Sequence, residues 1–120
     1  MKNFEKKCPV SYAIHLIGGK WKLTILHTLA QHQGPIRFKE LERQVTGITP
    51  TMLTKQLRAL EQAELVRRKV FATVPPTVEY KLSRHGVSMK AMIAEIEKWG
   101  TSQMVLKGLE PSARIYAEND

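Results

Sequence analysis

On either side of Glu64 the apolar residues recur with different periods, and few folds accommodate that change within so short a stretch. From Thr49 to about Ala63, Leu53, Leu57 and Leu60 fall at the i, i+4, i+7 spacing of a helix with one buried side. Thr49 offers a hydroxyl to cap the helix start, and Pro50 suits the first position, where no N–H is needed. From Leu65 to Ser83 the period is two: Val66, Arg68 and Val70 alternate with Arg67, Lys69 and Phe71, while Val78, Tyr80 and Leu82 alternate with Glu79 and Lys81. Between these runs "ATVPPT" is too rich in proline to pair, so it forms the loop of a β-hairpin.

Upstream, "GPIRF" at 34–38 reads as a turn and a short extended piece, after which Phe38, Leu41 and Val45 share the spacing of another short helix. A turn holding Gly47 joins it to the helix from Thr49. Two short helices around a tight turn make a helix-turn-helix, and a hairpin directly after it makes the unit a winged helix. Opposite the leucines lie Thr51, Thr54, Lys55, Arg58 and Gln62, a polar side with no acid among them. Polar helix sides are commonly only solvated, so the function of this one depends on its neighbours.

The remaining segments frame that unit. A helix is expected from Cys8, with Pro9 at its first position and Ala13, Ile14 and Ile17 as its apolar side. Gly18 and Gly19 end it, and a second helix begins near Lys20, with Trp21, Ile25, Leu26 and Leu29 facing a core. "GGKWK" lacks the long Gly-bounded loop and the Ser or Thr after lysine that a Walker phosphate loop requires. A longer helix is expected from Gly86 to about Trp99, carrying Met89, Met92, Ile93, Ile96 and Trp99 on one side. Because it lies outside the winged unit, that side and the first helix's Ile14 and Ile17 are read as a dimer surface. The expected organisation is a polar arm over 1–7, one domain over 8–100 and a tail over 101–120 with little periodicity. The fold class is mainly α with a small β-hairpin wing: a winged helix-turn-helix with flanking dimerisation helices.

Charge narrows the function. With 19 Lys and Arg against 11 Asp and Glu the chain carries +8, and the whole excess falls before residue 85. A positive field of that size favours a polyanion, most often nucleic acid. No apolar run approaches the roughly 20 residues that cross a bilayer, and Ser11, Tyr12 and His15 interrupt any signal-like core, so a cytoplasmic protein is expected. Cys8 is the one cysteine, which allows no internal disulfide framework. His15, His27, His32 and His85 have no paired spacing with cysteines or acids that suggests a metal site. No nucleophile elbow, dinucleotide loop or zincin motif is present, so neither catalysis nor a cofactor is expected.

Read together, "CPV" at 8–10, "IGGKWK" at 17–22, "RFKEL" at 37–41, "GITPTMLTKQLRALE" at 47–61, "LVRR" at 65–68, "VPPTVEY" at 74–80 and "LSRHG" at 82–86 resemble the HxlR family of bacterial winged-helix transcription regulators, relatives of the MarR group. The resemblance implies a homodimer that places its second helix-turn-helix helix in a DNA major groove and its wing along the flanking backbone. It also implies action as repressor or activator, with the N-terminal cysteine of many members sensing oxidants, quinones or other electrophiles. Two departures stand out: Glu64 replaces the usual glycine before "LV", and Thr77 replaces the basic residue often found after the paired prolines.

From these readings Thr51, Thr54, Lys55, Arg58 and Gln62 are the candidates for base contacts. Lys20, Lys22, Arg37, Lys39, Arg67 and Arg68 are the candidates for phosphate contacts, with Thr77 at the wing tip. Cys8, just before Pro9, is a candidate helix cap, where the helix dipole and neighbouring Lys6 and Lys7 favour the thiolate. The expected partners are a double-stranded, near-palindromic operator, a second copy of the chain, and a small electrophile or oxidant as signal. The alternative is a winged-helix module for structured RNA or a protein partner, because fold alone does not fix function.

Overall fold

The Thr49 cap forms as expected: its hydroxyl accepts from the Met52 N–H at 3.1 Å, and helix Pro50–Gln62 follows with proline in its first turn. This structure is a computed structural model and describes residues 8–111; the arm at 1–7, with Lys6 and Lys7, and the last nine residues of the tail lie outside them. In chain order the elements are α1 (Pro9–Ile17), α2 (Lys22–Gln31), β1 (Ile36–Arg37), α3 (Phe38–Gln44), α4 (Pro50–Gln62), β2 (Val66–Phe71), β3 (Thr77–Leu82), α5 (Arg84–Val87) and α6 (Lys90–Leu106).

Leu53, Leu57 and Leu60 of α4 are buried with Ile25, Leu26 and Leu29 of α2 and Leu41 of α3, with Val45 just beyond α3. Their packing is what fixes α4 against the rest, because a stripe of three leucines removed from water contributes roughly 2 kcal/mol per side chain. The hairpin pairs Val66 with Leu82, Arg68 with Tyr80 and Val70 with Val78. β1 adds to its far side, giving an antiparallel sheet in the order β1-β3-β2 with Ile36 opposite Tyr80. Helix pair α3–α4 followed by this sheet is a winged helix-turn-helix.

The end of α4 keeps the geometry that glycine normally serves. Glu64 has φ +64°, its N–H donates to the Glu61 carbonyl at 2.9 Å, and the Leu65 N–H donates to the Leu60 carbonyl at 3.0 Å. That is the paired bonding of a Schellman turn, closed by the buried side chains of Leu60 and Leu65. A side chain in this left-handed region is strained by about 1 kcal/mol. Glu64→Gly is therefore expected to raise the free energy of unfolding by about 1 kcal/mol, read from the denaturant midpoint at unchanged slope; no shift, or a loss, would contradict the strain.

Several boundaries differ from those expected. α2 starts at Lys22, not near Lys20, because Gly19 takes φ +98° and Trp21 forms the cap. The single helix expected from Gly86 to Trp99 is two. Ser83 starts α5 early, its hydroxyl accepting from the Gly86 N–H at 3.0 Å and donating to the Glu64 carbonyl at 2.5 Å. After a turn at Ser88, α6 runs past Gly100 to Leu106 and ends where Gly108 takes φ +75°. Glycine inside a helix costs only about 1 kcal/mol, so Gly100 does not break it. Residues 101–106, expected in the tail, thus belong to α6.

The proposed dimer surface also needs correction. Ile17 and Ile93 are buried in this chain's own core, where α6 packs on α2, and Met89 lies half-buried against it. Ile14, Met92, Ile96 and Trp99 are exposed, and Val10, Tyr12, Val105 and Leu106 extend the exposed apolar surface on the same two helices. Among the described residues no helix is long and apolar enough to cross a membrane, and no three His, Cys, Asp or Glu side chains gather as a metal site.

Candidate nucleic-acid interface

With the leucines of α4 turned inward, a helix of 3.6 residues per turn has to present the intervening positions outward. Thr51, Lys55, Arg58 and Gln62 are exposed and Thr54 is half-buried beside them. The side therefore offers one ammonium, one guanidinium, two hydroxyls and an amide, a set able to donate to guanine O6 and N7 or to meet a thymine methyl.

The phosphate candidates differ in exposure and in their partners. Lys20 is exposed, with its ammonium 4.8 Å from the centre of the Trp21 ring, and Lys22 is half-buried in the first turn of α2. Lys39 is exposed on α3. Arg37 is exposed on β1, its Nε 4.0 Å from Glu79 Oε2. Arg67 is exposed on the outer side of β2. Arg68, on the other side of that strand, is held by Glu61 of α4, with Nε 3.3 Å from Oε2. Thr77 is half-buried at the base of the hairpin loop, where its hydroxyl lies 2.9 Å from that of Thr73. A second bond, from the Thr73 hydroxyl to the Pro75 carbonyl at 2.7 Å, braces the same loop.

Two members of the site escaped the sequence reading. Glu61 is the only acid on α4, and it ties the last turn of that helix to the wing. Tyr80 sits behind the pair, buried and 6.4 Å from the Phe38 ring, centre to centre. Burial holds its phenol above the ordinary value; Arg68 and Arg58 oppose that and Glu61 adds to it, so all three charged groups lie within electrostatic reach of one hydroxyl. Helix and wing are thereby joined through a charged cluster whose cations face outward. Only a helix-to-strand contact could reveal Glu61's part, since seven positions separate it from Arg68 along the chain.

Cys8 caps α1 as expected. Its sulfur accepts from the Ser11 N–H at 3.4 Å, and the side chain is partly exposed. The thiol is held below its ordinary value by hydrogen bonds from Ser11, side chain first and then backbone, against an opposing effect of burial, with a lesser lowering by the Val10 backbone.

Comparison with known proteins agrees with this geometry. Residues 16–107 match the model of the HxlR-like helix-turn-helix family. The chain is 47% identical over 100 residues, 83% of its own length and 87% of the relative's, to an uncharacterized HTH-type transcriptional regulator, BH0655, of Halalkalibacterium halodurans. It superposes on the redox regulator HypR in its reduced form with a TM-score of 0.76 at 39% identity, covering 83% of this chain and 98% of that one. The corresponding values for oxidized HypR are 0.73, 40%, 79% and 96%. The reduced form of the transcriptional regulator YodB from B. subtilis gives a TM-score of 0.67 at 34% identity, over 78% of this chain and 90% of that one. A second helix-turn-helix helix tied to its wing, a matching family model across most of the chain and regulators among its relatives lead to one assignment: the protein belongs to the HxlR-like helix-turn-helix family of transcriptional regulators.

Proposed function

We propose that the protein regulates transcription as a homodimer that reads a near-palindromic operator, with α4 in the major groove and the wing against the adjoining backbone. The observation that carries this reading is the outward placement of Lys55 and Arg58 on a helix whose other side is locked in the core. Exposed Ile14, Met92, Ile96 and Trp99 on α1 and α6 supply the surface for a second copy. Two-fold symmetry then sets half-sites one or two turns apart, each turn about 10 bp.

The two kinds of contact separate experimentally. After selection of a preferred duplex from a random pool, Arg58→Ala is expected to lose about 2 kcal/mol of discrimination, roughly 30-fold, at one base pair. Arg67→Ala is expected to weaken selected and random duplex alike and to flatten the slope of log K against log salt by about 0.9. Equal losses on every sequence for both variants would refute the division, and a protein with no preference for any duplex would favour the RNA or protein-binding alternative.

Cys8 is proposed as the signal input. HypR is described as a redox regulator, and the low-set thiol of Cys8 at a helix start favours the nucleophilic thiolate. A quinone would be captured by addition: the thiolate sulfur bonds to a ring carbon, and the ring oxygen takes up a proton. Alkylation by iodoacetamide is expected to persist to lower pH than for a free cysteine, and Ser11→Ala is expected to move that profile upward. Operator affinity of Cys8→Ser is expected to withstand quinone treatment; if it falls as in the unmodified chain, Cys8 is not the sensor.

A further inference from the structure

Between α1, the end of α4 and the start of α6 the surface opens into a trough of about 350 Å³. Ala13, Leu16 and Ile17 line it from α1, Ala63 and Leu65 from the turn after α4, and Met89 from the start of α6. Glu64 and His85 are its only titratable lining, and no Lys or Arg borders it. The same two residues also line a second trough of about 420 Å³, together with Glu61, Arg67, Arg68 and Ser83. They therefore stand where an apolar hollow meets a charged one.

Glu64 holds a left-handed backbone, φ +64°, that glycine would take without strain. Both of its backbone groups are satisfied: its N–H donates to the Glu61 carbonyl at 2.9 Å, and its carbonyl accepts from the Ser83 hydroxyl at 2.5 Å. The turn needs nothing from the side chain. Among the described residues no Lys, Arg or His nitrogen lies within 4.0 Å of the Glu64 carboxylate, whereas Glu61, one turn back, is taken up by Arg68. The strain thus keeps an acid at the rim of the apolar trough that the fold does not use. A purely apolar occupant would strip water from that carboxylate without return, while a cationic one would replace the water with a charge-assisted bond. The exposed Ile14, Ile96 and Trp99 of a second copy would likewise cover the carboxylate without pairing it. Distant positive charge on the chain acts weakly here, because salt screens it beyond roughly 8–10 Å.

We infer that this trough is a binding site for a small organic cation, its apolar body against Leu16, Leu65 and Met89 and its basic nitrogen on the Glu64 carboxylate. The volume lies at the lower end of the range of small-molecule sites, roughly 300–1,000 Å³. Met89 and Met92, unbranched and adaptable, let the seat adjust to the ring it receives. The site does not depend on the DNA-binding function proposed above, and either can fail without the other.

The test uses three probes with one body and three head charges: phenylbutylamine, phenylbutanol and phenylbutyrate, each titrated into the full chain while backbone amide shifts are followed. The amine is expected to bind about fivefold tighter than the alcohol, as one exposed ion pair allows, and the butyrate most weakly. The largest shifts are expected at Leu16, Ala63, Leu65 and Met89. Glu64→Gln is expected to remove the amine's advantage while leaving the alcohol's affinity unchanged, and Ala13→Leu, which fills the trough, to weaken all three. Equal binding of the three probes, shifts centred elsewhere, or an amine preference that survives in Glu64→Gln overturns the inference. Binding to the unmodified chain that weakens as protein concentration rises also overturns it, since a second copy would then be the occupant. Should Ala13→Leu fail to fold, the position of the shifts in the unmodified chain and the Glu64→Gln comparison still decide.

Discussion

Leu57→Ala is expected to lower the free energy of unfolding by about 3 kcal/mol, the transfer loss of the removed carbons plus the cavity left behind. Leu57 is 1% exposed and lies among leucines and isoleucines of α2 and α3 that are themselves buried, so the site has little freedom to collapse. The adjacent Arg58→Ala is expected to change stability by less than about 0.5 kcal/mol, because its side chain lies outside that packing. Urea unfolding of the two variants at one protein concentration makes the comparison, concentration being fixed because self-association shifts apparent stability. A loss below about 1 kcal/mol for Leu57→Ala would mean that α4 is not anchored as described. Two neighbouring residues thus separate the helix's two tasks, one in the core and one at the proposed DNA contact.

Gly86→Ala is expected to cost about 3 kcal/mol or to prevent folding, for a steric reason and not a conformational one. A Cβ at Gly86 would lie 2.1 Å from the Leu65 carbonyl oxygen and 3.1 Å from its carbon, both backbone atoms, with Leu82 Cδ2 at 3.2 Å. Relief requires α5 to move away from the start of β2. That movement would disturb the Ser83 hydroxyl bond to the Glu64 carbonyl and the Ser83 N–H bond to the Leu65 carbonyl, the latter at 2.9 Å. Gly100→Ala is the contrasting case: nothing lies within 4 Å of its added carbon, and alanine suits a helix interior better by up to about 1 kcal/mol. Calorimetry of both variants is expected to give melting temperatures shifted in opposite directions. A mild effect at Gly86 would mean that α5 sits further from β2 than shown.

Much of this architecture was legible before the fold was known, because its signals are local. The leucines of α4 declare their side by spacing, Thr49 and Pro50 declare the start, and the proline pair separates the two strands of the hairpin. Glu64 looked like an exception to a glycine position, and the structure shows that the left-handed turn is kept despite it. Less legible were features decided by contact. Ile17 and Ile93 fit an apolar side in sequence, but only packing shows that their side chains are used within the chain. The end expected near Trp99 is passed by α6, whose backbone bonds continue to Leu106. The opposition of Arg67 to Lys81 was likewise hidden, since it depends on strand register. Glu61 was invisible as a brace for the same reason.

α6 buries one residue, Ile93, along its 17-residue length, while most of its remaining apolar side chains stay in contact with water. Substitutions along the rest of that helix therefore leave the interior that positions α4 almost undisturbed. Under the dimerisation and operator reading proposed above, mate choice and operator choice can then diverge independently after gene duplication: sister regulators in one cell can stop pairing with each other while still recognising the same promoters.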